Sequence, residues 1–124
     1  MFKKHFTPAE ANRRLPLVKG IVSDIIAKGK RARMILASSK TSEEPSPEIL
    51  NLQEEIEKLM AELEELGCYY KDWNFEIGLV DFPAVIEGEE VLLCWRSDEQ
   101  DVRFFHSLED GYIGRQLIPQ PLVN

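Results

Sequence analysis

Histidine and cysteine each occur only twice in the 124 residues. Cys68 and Cys94 stand 26 residues apart, in no Cys-x-x-Cys or histidine-interleaved spacing. That excludes a disulfide-dense scaffold and a zinc finger, and leaves two free thiols as the expected state. No apolar run is long enough to span a bilayer: the greasiest, Gly20 to Ala27, is cut by Ser23 and Asp24. The start, Met1-Phe2-Lys3-Lys4-His5-Phe6, has the charge of a signal peptide but no apolar stretch behind it. A cytoplasmic protein without a membrane role is therefore expected. There is no glycine-rich phosphate loop, nucleophile elbow or zinc-protease helix, and no RNA-binding or helix-turn-helix signature.

What is present is an ordinary globular composition, 44% hydrophobic and 30% charged, enough for a real core in one domain. The net charge of −7 argues against bulk affinity for nucleic acid or anionic lipid. That average hides a sharp asymmetry. Residues 1–40 balance at +8, residues 41–66 at −8 and residues 67–124 at −7. A basic block followed directly by an acidic block of equal size suggests that the two face each other. On this reading Lys28, Lys30, Arg31 and Arg33 pair with glutamates of the next helix rather than with a phosphate backbone.

Thr7-Pro8-Ala9-Glu10 is a helix start, with a capping hydroxyl, a first-turn proline and a glutamate placed for a capping box. Pro16 predicts a break, giving a short helix over about 8–14 and a longer one from Pro16 to about Ser38. In the longer segment Val18, Val22, Ile25, Gly29, Ala32 and Leu36 recur at steps of 4, 3, 4, 3 and 4. After a polar connection over Lys40 to Pro45, Ser46-Pro47 restarts a helix. In it Ile49, Leu52, Ile56, Leu59, Leu63 and Leu66 follow steps of 3, 4, 3, 4 and 3, ending at Gly67. Two such seams predict an antiparallel, coiled-coil-like hairpin with partner numbers summing to about 85, in which Gly29 lies against Ile56.

After Gly67 the period changes. Leu79 to Ile86, Glu90 to Arg96 and Val102 to His106 read as strands, with Glu87-Gly88 as a hairpin turn. Pro83 limits the first of them to an edge or a bulge. Cys68-Tyr69-Tyr70 is a short extended piece, and the tail beyond Glu109 reads as loop. The expected fold is α+β: a helical hairpin over 7–67 and a small three-stranded antiparallel sheet within 68–118, in a single domain 1–124.

The candidate site lies in the β region. A two-residue turn at Glu87-Gly88 sets Asp81 opposite Cys94 and diagonal to Arg96 on one face. His106 shares a face of the next strand with Phe104 and Val102, Glu109 follows it, and Arg115 lies between glycines and prolines. Asp81, Arg96, His106, Glu109 and Arg115 therefore form a candidate ligand-binding patch. The favoured reading of that patch is an internal Asp81–Arg96 ion pair with His106 capping a strand end. Anion or small-ligand binding by the arginine forks comes next. Catalysis, or a metal at His106 with Asp81 or Glu109, comes last, since the residues match no recognised ligand spacing. Cys94 reads as a packing residue. Trp95, Phe104, Phe105 and Tyr112 suit core packing better than an aromatic pocket wall.

Several pieces carry a family resemblance: Phe6-Thr7-Pro8-Ala9-Glu10-Ala11-Asn12, Leu66-Gly67-Cys68, Gly78-Leu79-Val80-Asp81-Phe82-Pro83, Leu93-Cys94-Trp95-Arg96, Phe105-His106 and Glu109-Asp110-Gly111-Tyr112 with Gly114-Arg115. Together they resemble a bacterial family, domain of unknown function 2203, over nearly the whole chain. Phe105 stands where that family is expected to carry tryptophan. The family brings no established activity or site residues, so the resemblance implies only a small cytoplasmic bacterial protein. The functional expectation is accordingly a non-enzymatic assembly or adaptor module that dimerises through its helices. It needs no cofactor, metal, nucleic acid or membrane. The alternative is a small-ligand (anion) binding or enzymatic domain centred on Asp81, Arg96, His106 and Arg115.

Overall fold

In the computed structural model, residues 2, 4–38, 46–72 and 75–123 are described. The connection expected over Lys40 to Pro45 lies outside them. The capping box forms as its sequence implies. Thr7 N donates to Glu10 Oε1 at 2.9 Å and Glu10 N donates to Thr7 Oγ1 at 3.1 Å. From there α1 runs unbroken over Pro8–Ser38, with Pro16 inside it. The break expected at Pro16 does not occur. Interior proline costs about 3 kcal/mol, but Leu15 and Val18 on either side are buried, and each contributes about 1.5–3 kcal/mol. Pro16 itself is exposed, so its ring lies on the solvent side.

Helix α2 spans Pro47–Leu66. Ser46 Oγ accepts from Ile49 N at 3.2 Å, and Gly67, at φ 98°, ends the helix in the left-handed conformation. The helices pack together, and the ion pairs Lys28–Glu55 at 2.6 Å and Arg31–Glu48 at 2.8 Å set rising numbers on α1 against falling numbers on α2. That is antiparallel packing, with the basic block facing the acidic one. Such exposed pairs contribute about 0.2–1 kcal/mol each and act mainly on partner choice. Gly29 and Ile56 line one groove between the helices, and the residue that needs the Cβ to be missing is Phe75. A Cβ built at Gly29 would stand 2.3 Å from the Phe75 ring, which occupies the space beside it.

The sheet has five antiparallel strands in sequence order rather than three: β1 (Tyr69–Tyr70), β2 (Leu79–Ile86), β3 (Glu89–Arg96), β4 (Phe104–Ser107) and β5 (Gln116–Leu117). The two additional strands are edge pairs of two residues each, too short to show a period of two. The hairpin turn Glu87-Gly88 has φ 53° and 81°, the left-handed pair of a tight hairpin turn. Pro83 sits inside β2, beyond the last residue that β1 pairs. Its carbonyl accepts from Phe6 N at 2.7 Å, so its missing donor faces the side where β1 has ended.

Alternation sorts the sheet into two faces. Val80, Phe82, Ala84 and Ile86 of β2, with Val91, Leu93 and Trp95 of β3, join Ala11, Leu15, Val18, Val22 and Ile25 of α1 and Ile56 and Leu63 of α2 in one core. The other face of β2 and β3 carries Leu79, Asp81, Pro83, Leu92, Cys94 and Arg96. A 3-10 turn at Tyr112–Gly114 lies between β4 and β5, and α3 (Gln120–Val123) is the last described element. Among the described residues no helix is long and apolar enough to cross a membrane.

Candidate functional site

The register pairs Asp81 with Cys94 and Leu92 with His106. Asp81, Cys94 and His106 therefore rise from three neighbouring strands on the face turned away from the helices. They are 4%, 1% and 3% exposed. One ligand-capable atom from each, a carboxylate oxygen, the thiol sulfur and a ring nitrogen, lies within 4.8 Å of the other two.

His106 Nε2 is 3.3 Å from Asp81 Oδ1, while Nδ1 is 2.7 Å from the Ser107 carbonyl oxygen. A carbonyl only accepts, so Nδ1 carries a proton and donates it there. The hydrogen bond with Asp81 raises the His106 pKa above its ordinary value, against the opposing effect of burial. Burial pushes the Cys94 thiol up to about 12, with the Asp81 charge adding to the shift. The geometry disfavours nucleophilic catalysis. One ring nitrogen is committed to Ser107 and the other faces Asp81, so neither is aimed to take the thiol proton.

A cavity of about 300 Å³ opens above this trio. Its walls include Leu79, Leu92, Leu108 and Gly111, with Lys71 and Tyr112 contributing polar groups. Tyr112 is held by the arginines. Arg96 Nη1 donates to Tyr112 Oη at 2.6 Å, and the Arg115 guanidinium lies 3.9 Å from the Phe104 ring centroid and 4.9 Å from that of Tyr112.

The five sequence candidates are therefore only partly brought together. Asp81 and His106 meet. Arg96 does not pair with Asp81; Asp98 takes it bidentately, at 2.6 and 2.8 Å. The difference is one of reach, because Asp98 lies two residues away in the turn and offers the guanidinium a local partner. Arg115 Nη2 donates to both oxygens of Glu99, at 2.8 and 2.7 Å, and to the Cys94 carbonyl at 3.3 Å. Its Nε is buried with no hydrogen-bond partner among the described residues. Glu109 is exposed in the turn after β4, outside the cavity lining. Val102 lies in the core instead of beside His106, since β4 begins at Phe104.

Sequence reasoning missed Cys94, whose apolar strand disguised it. The signal was its position opposite Asp81 once the hairpin register is set. Tyr112 lines the cavity, whereas Trp95 is turned to the core and its indole N–H donates to the Glu99 carbonyl at 3.0 Å.

The site residues and the fold around them lie within residues 4–118, the stretch that matches the family model described as uncharacterized conserved protein, domain of unknown function 2203. The chain belongs to this family. No curated protein and no solved structure matches it significantly. Membership therefore covers the α+β chain nearly end to end and assigns no chemistry to the trio.

Proposed function

We propose that this member of the family is a small ligand-binding module, with the cavity floored by Asp81, Cys94 and His106 as its site and the helices as its scaffold. The observation that carries this reading is the placement of three ionisable side chains, nearly fully buried, on a sheet face that apolar residues alone would cover at lower cost. Burying an acid and an imidazole is unfavourable unless they are paired, and apolar replacement of a buried pair is often neutral or stabilising. Groups retained at such a position beside an open cavity mark a site. The arginine forks that an anion would use are filled by Asp98 and Glu99. The floor, with its carboxylate, favours a cation or a hydrogen-bond donor.

The test compares thermal and urea unfolding of three forms. Asp81→Leu alone strands the His106 ring and should lose about 1–3 kcal/mol. The double variant Asp81→Leu/His106→Leu should recover to the wild-type value or exceed it. A double variant as unstable as the single would make the pair a structural element and sink the ligand-site reading.

A second reading, assembly through the helices, has its own support. Met34, Leu36 and Leu50 are 68%, 58% and 52% exposed on α1 and α2. A groove lined by Gly29, Ala32, Leu36, Ile56, Met60 and Phe75 runs between the two helices. Sedimentation equilibrium at tens of micromolar distinguishes twice the chain mass of 14.3 kDa from the monomer.

A further inference from the structure

We infer that Asp81, Cys94 and His106 form a binding site for one divalent transition-metal ion of borderline softness, Zn²⁺ above all, with an open coordination position facing the cavity. This deepens the ligand-site reading and rests on it.

The donor set argues first. One carboxylate oxygen, one thiol sulfur and one imidazole nitrogen converge, each from a different strand and each buried. Zn²⁺ accepts all three donor types, whereas Mg²⁺ and Ca²⁺ require oxygen shells that a single carboxylate does not begin to supply. Dimensions argue next. In a tetrahedral zinc site the metal–ligand bonds are about 2.0–2.3 Å, so ligand atoms stand about 3.2–3.8 Å from one another. The His106 Nε2 to Asp81 Oδ1 separation of 3.3 Å is already in that range. The upper bound of 4.8 Å for the trio leaves about 1 Å of closure to small side-chain rotations.

Orientation is the third observation. The Nδ1–H of His106 donates to the Ser107 carbonyl at 2.7 Å, which in the neutral ring leaves the Nε2 lone pair directed into the trio. A metal-bound histidine has this same outer hydrogen bond, which fixes its tautomer and ring plane. Charge is the fourth. Binding breaks the Cys94 S–H bond and displaces the proton held between His106 Nε2 and Asp81 Oδ1, both protons leaving to solvent as metal–sulfur, metal–nitrogen and metal–oxygen bonds form. A dication with one carboxylate, one thiolate and one neutral imidazole is electrically neutral as a unit, which suits a buried site. Three protein ligands and a fourth position opening on a cavity of about 300 Å³ leave room for water or a small-molecule donor on the metal.

The experiment uses the full chain, stripped with a chelator and then titrated with Zn²⁺ alone and with Co²⁺ alone. The expected result is one ion per chain, with Co²⁺ giving the near-ultraviolet thiolate-to-metal charge-transfer band and visible bands of a tetrahedral centre. Cys94→Ser should lose the charge-transfer band and more than about 100-fold in Zn²⁺ affinity, beyond what loss of an outer hydrogen bond costs. Cys68→Ser, altering the thiol buried on the helix side of the sheet, should keep both. Far-ultraviolet circular dichroism verifies that each variant is folded. Folded wild-type protein that binds neither ion at micromolar concentration overturns the inference, as does a thiolate band that survives Cys94→Ser. If the Asp81→Leu/His106→Leu form is nevertheless as stable as wild type, only the metal assignment falls and the ligand site stands. If that form is also destabilised, both fall.

Discussion

At the scale of single residues, side chains in this molecule are placed by what lies beside them more than by their own propensity. Gly29 illustrates this. By helix propensity alone, alanine would be about 1 kcal/mol better there. The Phe75 ring would stand 2.3 Å from the new Cβ, so Gly29→Ala forces overpacking instead. The expected outcome is a net loss of about 1–2 kcal/mol in urea unfolding, relieved when Phe75→Ala is added. Two independent losses that simply sum would show that the glycine and the ring are not in contact. The same principle governs Cys94: by composition it belongs to an apolar strand, and by register it stands beside a carboxylate and an imidazole.

At the scale of elements, the termini of α1 and α2 were legible because a cap is a local device. Its donors and acceptors lie within three residues, and no distant contact is required. The Thr7–Glu10 box gives this a measurable form. Hydrogen bonding from Thr7, backbone first and hydroxyl second, holds the Glu10 carboxyl below its ordinary value of 4.5. A carboxyl lowered in the folded state adds stability above its unfolded pKa, and that stability is lost as pH falls through the folded value. Glu10→Gln should therefore lower the stability at pH 7 and flatten the acid limb below about pH 4.5, the two proteins converging once Glu10 is protonated. An acid limb unchanged by the substitution would show that the reciprocal cap does not hold in solution. Pro16 was the failure at this scale. A proline rule is local, but the stripe of Ala11, Leu15, Val18, Val22 and Ile25 that overrides it acts across the whole helix.

At the scale of the whole molecule, the helices and the sheet do different work. The core needs only one face of the sheet, so the other face is free to carry polar chemistry. The charge blocks select the antiparallel partner within the chain, and the apolar residues Met34, Leu36 and Leu50 remain uncovered on the helices. If those residues form an interface between copies, Leu36→Glu with Leu50→Glu should shift the sedimentation mass from dimer to monomer and leave the thermal midpoint nearly unchanged. An unaltered mass would place the contact elsewhere or show that none exists.

The sequence by itself determined the α+β class, the helix caps, the opposed charge blocks and the central hairpin register. Each depends on a period, a turn or a neighbour a few residues away. Only the tertiary structure decided the rest. It carried α1 through Pro16, added β1 and β5 as two-residue edges and gave Arg96 and Arg115 to Asp98 and Glu99. It also gathered Asp81, Cys94 and His106 beneath one cavity. Those outcomes depend on which groups meet after distant strands pair. Burial then charges a different cost for each choice of partner, and no local pattern in the chain encodes that cost.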